Sequence, residues 1–298
     1  MRVTNRMLVD NFLANITNNL RHMERLEQQM ATGRRISRPS DDPVGVVSSL
    51  RLRSNLMETA KYDENADEAN SWLEASDTAL GNVTLILQKA RELAVRGATE
   101  SMSQQSRDAV AKEVNQLLEQ LVDMANSVHD GRYIFGGYQT TSAPFTAVGS
   151  PATAVIYSGD SGILNREIGV GITLSINVTG AQVFSGASNI FDSLIMLRDN
   201  LIAGNTAAIS TGDINNLDRS IDNVLAYRAE IGAKINRLEL HKERLGDMRV
   251  NFTKLLSANE DADMAEVIMN LQIQENVYRA SLSTGARIIQ PTLVDFLR

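Results

Sequence analysis

The sequence predicts a mainly α protein with a small β insertion. The expected form is an elongated antiparallel bundle of long helices, built from the N- and C-terminal segments, with the β-rich part at its far end. Three observations carry this reading. First, every seventh residue from Leu217 is apolar: Leu217, Val224, Ile231, Leu238, Leu245 and Phe252. Four positions further on stand Ile221, Arg228, Ile235, Lys242, Arg249 and Leu256, half apolar and half basic. This is a heptad seam with one perfect line and one mixed line. As one helix it would run for roughly 60 Å at 1.5 Å per residue. A rod that long must lie against other long helices. Second, charge nearly vanishes between Tyr133 and Gly186, and Val170, Ile172, Leu174, Ile176 and Val178 alternate with Gly171, Thr173, Ser175 and Asn177. That period of two predicts a half-buried strand. Third, 43% of the residues are hydrophobic but only 5% are aromatic, so the core is expected to be largely aliphatic.

Taken in order, residues 5–32 read as an amphipathic helix. Val9, Leu13, Ile16, Leu20, Met23 and Met30 keep a 4-3 spacing, with Phe12 and Leu26 widening the stripe. Gly33 ends it, and Arg34, Arg35 and Arg38 read as a solvated cluster at the helix end. Asp42 before Pro43 has the form of an N-cap followed by proline at the first helical position. Helical character then continues to Gly97, with room for one break. Its second half repeats cleanly: Trp72, Ala79, Ile86 and Leu93 on one line, Ser76, Val83, Ala90 and Gly97 on the other. After a Ser/Gln-rich turn, Val110, Val114, Leu117, Leu121, Met124 and Val128 predict a further helix. Asp130-Gly131 is expected to close it, with glycine past the end.

Residues 138–187 read as the β insertion, with a strand at Ala154–Tyr157 before the Ser158-Gly159-Asp160 turn and a second over Val170–Val178. The insertion is short for an independent core and should lean on adjacent helices. Helix returns at Ile190–Ala203, ended by Gly204, and the long seam starts near Asp213. A last helix follows Asn259 and Asp261, with Met264, Ile268, Leu271, Tyr278, Leu282, Ile289 and Phe296 in register. Pro291 should kink or end it. The expected division is 1–42 as an N-terminal assembly helix, 43–137 and 188–258 as two halves of a helical bundle, 138–187 as a β-rich outer domain, and 259–298 as a C-terminal assembly helix. The rod core is expected to comprise Trp72, Ile86, Leu93, Val114, Leu121 and the apolar line from Leu217 to Phe252.

Composition narrows function. A net charge of −7 disfavours nucleic acid as a partner, and the absence of cysteine removes disulfides and thiol chemistry. The opening residues lack the apolar core and cleavage site of a secretory signal, and no stretch is continuously apolar enough to span a membrane. His22, His129 and His241 are far apart, so no zinc spacing exists. No phosphate loop, dinucleotide fingerprint or nucleophile elbow is present. Asp261-Ala-Asp263 resembles the start of a calcium loop but lacks the later ligands, and reads as a helix cap. We therefore expect no catalytic residue, no metal and no cofactor. What remains is apolar surface at the two ends: Met7, Phe12, Ile16, Leu20 and Met23 on one side, and Ile268, Leu271, Tyr278, Leu282, Ile289 and Phe296 on the other. These are expected to form an assembly interface, because one helix pair leaves much of this surface uncovered.

Particular runs of residues are also familiar. Arg2–Leu20, Gly33-Arg34-Arg35-Ile36-Ser37 leading to Asp41-Asp42-Pro43, and Leu87–Val95 with its Arg91-Glu92-Leu93 resemble the bacterial flagellin superfamily. Asp130-Gly131-Arg132-Tyr133-Ile134-Phe135-Gly136-Gly137-Tyr138, followed by Pro144-Phe145, resembles its hook–filament junction subgroup. So do Tyr278–Leu282 and Pro291–Leu297. The resemblance implies a structural protein, exported by the flagellar type III apparatus without a cleaved signal and placed outside the cell. It implies a homo-oligomer in a helical layer between hook-associated protein 1 and flagellin, with a cytoplasmic export chaperone holding the C-terminal region. A filament-forming flagellin is the alternative within the same superfamily.

Overall fold

The computed structural model describes residues 5–186 and 189–288. Ile289, Pro291 and Phe296 lie outside the described residues. Long helices dominate, with a small β region. The order is α1 (Asn5–Thr32), α2 (Pro43–Gly97), α3 (Gln104–Ala125), β1 (Val128–His129), β2 (Arg132–Tyr133), β3 (Phe145–Val148), β4 (Ala154–Tyr157), β5 (Asn165–Gly169), β6 (Ile172–Ser175), α4 (Gly180–Phe184), α5 (Ile190–Ala203), α6 (Thr206–Ala208), a π turn (Ile209–Asp213), α7 (Ile214–Glu260) and α8 (Met264–Ile288). The chain divides into two compact units, residues 1–58 with 248–298, and residues 59–247.

The larger unit holds the core. Trp72, Ile86, Leu93, Val114, Leu121, Leu217, Val224, Ile231, Leu238 and Leu245 are all buried there. Phe252 falls in the other unit and is only half-buried. Within the larger unit α2 and α7 run antiparallel, and the mixed line of the heptad acquires a physical reason. Two of its three basic positions meet carboxylates on α2: the Arg228 guanidinium donates to Asp77 at 2.9 and 3.2 Å, and the Lys242 ammonium donates to Asp67. Arg91 reaches Asp218 further along the same pair. Half-exposed pairs of this kind contribute up to about 1 kcal/mol each, so they align the helices more than they stabilise them.

Three points narrow or correct the expectations. Helix α2 runs unbroken over 55 residues. Asp130-Gly131 does not close a helix: α3 stops at Ala125, and Asp130 (φ 53°) and Gly131 (φ 74°) make the tight turn of the hairpin β1–β2. Two consecutive left-handed residues match the twist of a two-residue hairpin, and Asp-Gly supplies them with little strain. Val128 accordingly sits in β1, half exposed. The third point concerns Val170–Val178. Val170 is exposed, Gly171 has φ 68°, and both lie in the turn joining β5 to β6. Alternation alone cannot distinguish a strand from a strand preceded by its turn.

The strands form three separate two-stranded antiparallel hairpins, β1–β2, β3–β4 and β5–β6. The hairpin β3–β4 gains its core from aromatics, whereas β5–β6 buries Ile168 and Leu174. Phe184 stacks on Phe191 at 5.6 Å between ring centroids, and Phe135 and Phe145 meet Phe184 edge-on at 5.3 and 5.1 Å. Tyr157 closes the group against Phe145, its hydroxyl donating to the Asp160 carbonyl at 2.8 Å with the Phe135 carbonyl at 3.1 Å as the alternative acceptor. The cluster fastens β3–β4 to α4 and α5. The hairpin β5–β6 lies along the helices, with Asn65 donating to the Glu167 carbonyl, Arg166 near Glu68, and His241 against the Ile168 carbonyl.

The run Phe135-Gly136-Gly137-Tyr138 shows why glycine is needed there. Gly137 has φ 70°, and a Cβ would lie 2.5 Å from the Asp160 carbonyl oxygen. Asp160 in turn accepts from the Tyr138 and Gly162 amides. Gly137→Ala is expected to destabilise the larger unit by about 1–3 kcal/mol, the cost of a strained backbone position. Urea titration followed by emission of the sole tryptophan, Trp72, checks this; an unchanged midpoint would contradict it.

Candidate assembly surface

The smaller unit is where apolar surface is left over. Among its described residues the only buried hydrophobic side chains are Ile36, Val267 and Leu271. Its exposed large hydrophobics are far more numerous. They include Met7, Leu8, Leu13, Leu20 and Met30 on α1, and Met264, Ile268, Met269, Ile273, Val277 and Leu282 on α8. Val44, Val47, Leu50 and Met57 on α2 join them, with Val250 and Leu255 on α7. Single exposed hydrophobics are ordinary, but their number on the helices of this one unit makes it the candidate for an interaction surface.

Helices α1 and α8 pair antiparallel. Phe12 packs where a Cβ on Gly285 would have to sit, Gln274 donates to the Asn19 carbonyl at 3.4 Å, and Gly33 bonds Ala262 at the other end. The pairing uses one side of each stripe. Phe12, Ile16, Met23 and Tyr278 become half-buried, and Leu271 is buried. Met7, Leu20, Ile268 and Leu282 stay 41–52% exposed. The expected interface is therefore divided. Leu271 is already covered within its own chain, and the exposed four remain available. Two helices in contact can hide only one face each, which is why the stripe is split.

The base of the pair is polar and tightly made. The connector from α1 to α2 and the connector from α7 to α8 pair as a short antiparallel bridge: the Arg35 amide donates to the Glu260 carbonyl at 2.6 Å, and the Ala262 amide to the Gly33 carbonyl at 3.0 Å. The Glu260 side chain is buried and takes a bidentate pair from Arg53, Nε to Oε1 at 3.1 Å and Nη2 to Oε2 at 2.6 Å, with Arg34 Nε at 3.8 Å. The Arg53 hydrogen bonds hold the Glu260 carboxyl below the usual carboxylate range; burial opposes this, and Ser49 and Arg34 reinforce it. Asn259 donates to the Gly45 carbonyl and to Ser49 Oγ.

Sequence reasoning missed the Glu260–Arg53 pair, while Arg34, Arg35 and Arg38 are exposed, as the solvated reading expects. Arg34 is partly exposed yet still reaches Glu260, while Arg35 donates to the Asn259 carbonyl and lies 3.7 Å from Asp42. Asp42 does cap α2, accepting from the Gly45 amide, and Asp263 caps α8, accepting from the Ala265 and Glu266 amides.

No group of three or more His, Asp or Glu among the described residues could hold a metal ion, and no described helix is long and apolar enough to cross a membrane. His129 packs edge-on against Trp72 and sits 3.2 Å from Ser71 Oγ, and His241 serves the β5–β6 hairpin.

Comparison with known proteins places these surfaces in context. Residues 3–140 match the bacterial flagellin N-terminal helical region. Flagellar hook-associated protein 3 of Salmonella typhimurium is 29% identical over 309 aligned positions, covering 95% of this chain and 96% of that protein. Flagellar hook-associated protein 3 of Escherichia coli is 27% identical, covering 94% and 95%. In fold, the chain resembles the crystal structure of flagellar hook-associated protein 3 of Legionella pneumophila, with a TM-score of 0.64 and 17% identity, covering 70% of this chain and 97% of that one.

Proposed function

We propose that this chain is a structural component of the bacterial flagellum, of the flagellin superfamily, and forms the adaptor layer joining the hook to the flagellin filament. Its neighbours would be hook-associated protein 1 on the hook side and flagellin on the other. The observation that carries this reading is end-to-end similarity to flagellar hook-associated protein 3, which spans both helical ends and the β region together. The uncovered apolar face of the smaller unit supplies the physical means. Copies arranged in a layer would cover Met7, Leu20, Ile268 and Leu282 with one another or with related chains, and each large apolar side chain moved fully from water contributes about 1.5–3 kcal/mol. The outer β part needs no partner for this role.

The same reading includes export by the flagellar type III apparatus, a final position outside the cell, and a cytoplasmic chaperone covering the C-terminal region before export. It assigns no catalytic residue and no cofactor. A filament-forming flagellin is the second reading, favoured by the shared N-terminal helical region. Deleting the gene separates the two. An adaptor predicts cells that keep their hooks, build no filament and release flagellin into the medium, with an antibody to this chain labelling only the hook–filament boundary of wild-type cells. Labelling along the whole filament would favour the second reading. Filaments of normal length in the deletion strain would overturn the adaptor role.

A further inference from the structure

We infer that the buried Glu260 cluster is a charge-operated latch that clamps the α1–α8 pair to the adjoining ends of α2 and α7. Polar side chains make the closest contacts between the start of α2 and the end of α7. The face of α2 turned toward α7 carries Gly45, Ser49 and Arg53, while Val44, Val47, Leu50 and Met57 stand exposed. Beside the buried Ile36, which packs against Gly45, what joins the elements here is the ion pair, the Asn259 hydrogen bonds and the short backbone bridge.

The Glu260 carboxylate, at the last residue of α7, touches α2 and the first connector at once. Facing it are Arg53 and Ser49 from α2 and Arg34 from the first connector, with Arg35, Asp42, Asp261 and Asp263 nearby on the same connectors. Removing one charge of such a pair leaves the other without its counterion in a partly dry site, so the join loosens as a whole. The sign with pH follows from the geometry and from the lowered carboxyl. The latch holds at pH above the ordinary carboxylate value of about 4.3. It is lost as pH falls through the lower folded value, when Glu260 takes up a proton.

The test is hydrogen exchange on the full chain, expressed as protection relative to the intrinsic rate, with Trp72 emission as an independent report on the larger unit. Glu260→Gln and Arg53→Met should each cut protection of amides in residues 33–42 and 258–264 by at least tenfold at pH 7, with residues 66–125 unaffected. Wild-type chain taken to low pH should lose the same protection before Trp72 emission changes, which keeps the test decisive if a variant fails to fold. Wild-type protection absent from these segments at pH 7 would overturn the latch. So would protection unmoved by either variant and by acid, or loss that spreads equally through both units.

Discussion

Changing Leu20, Ile268 and Leu282 together to glutamine is expected to leave the isolated chain folded and to abolish its assembly at working concentration. Each of these side chains is 41–45% exposed, so the folded chain gains little from them and should lose about 0.5 kcal/mol or less per site. In a layer the uncovered fraction of each would be buried. That fraction is under half, so about 1 kcal/mol per residue is at stake. Three together give a weakening on the order of a hundredfold. Sedimentation velocity measures the association, and Trp72 emission verifies the fold. The companion change Leu271→Gln should behave differently: it falls on a buried position and should destabilise the α1–α8 pair itself. Equal association of wild type and triple variant would remove this face from the interface.

The second large effect lies in the other unit. Phe184→Ala should cost about 3–5 kcal/mol of stability, the range for deleting a fully buried aromatic ring. Phe184 has no exposed surface and touches Phe135, Phe145 and Phe191 at once. Its loss opens a cavity among three rings on three different elements, none of which can close it alone. Melting followed by circular dichroism and Trp72 emission checks the size of the effect. A loss below about 1 kcal/mol would mean that the site collapses easily around the missing ring.

These two cases differ in how visible they were beforehand. The apolar stripes on α1 and α8 are periodic, so a reader of the sequence finds them directly. Their division into a covered and an open half is not visible, because it depends on which side of α1 the antiparallel α8 occupies. The aromatic cluster has no period at all. Phe135, Phe145, Tyr157, Phe184 and Phe191 come from a hairpin exit, two strands and two helices, and nothing local connects them. The Glu260 latch was hidden for a related reason. Its arginines are separated from the carboxylate by more than 200 positions, as the Arg53–Glu260 bond shows, and a basic run beside a glycine looks like any solvated helix end.

By itself, the sequence determined the helices. The bounds of α1 and α5, the cap before Pro43 and the buried heptad line of α7 up to Leu245 all follow from periodicity, capping and glycine stops, which act over a few residues and leave their mark in order along the chain. Tertiary structure alone decided the rest: the meeting of five aromatic rings, the enclosure of Glu260, and which apolar residues stayed in water. Each of these depends on distant segments competing for the same space and the same hydrogen bonds, and that outcome is settled only when the elements pack.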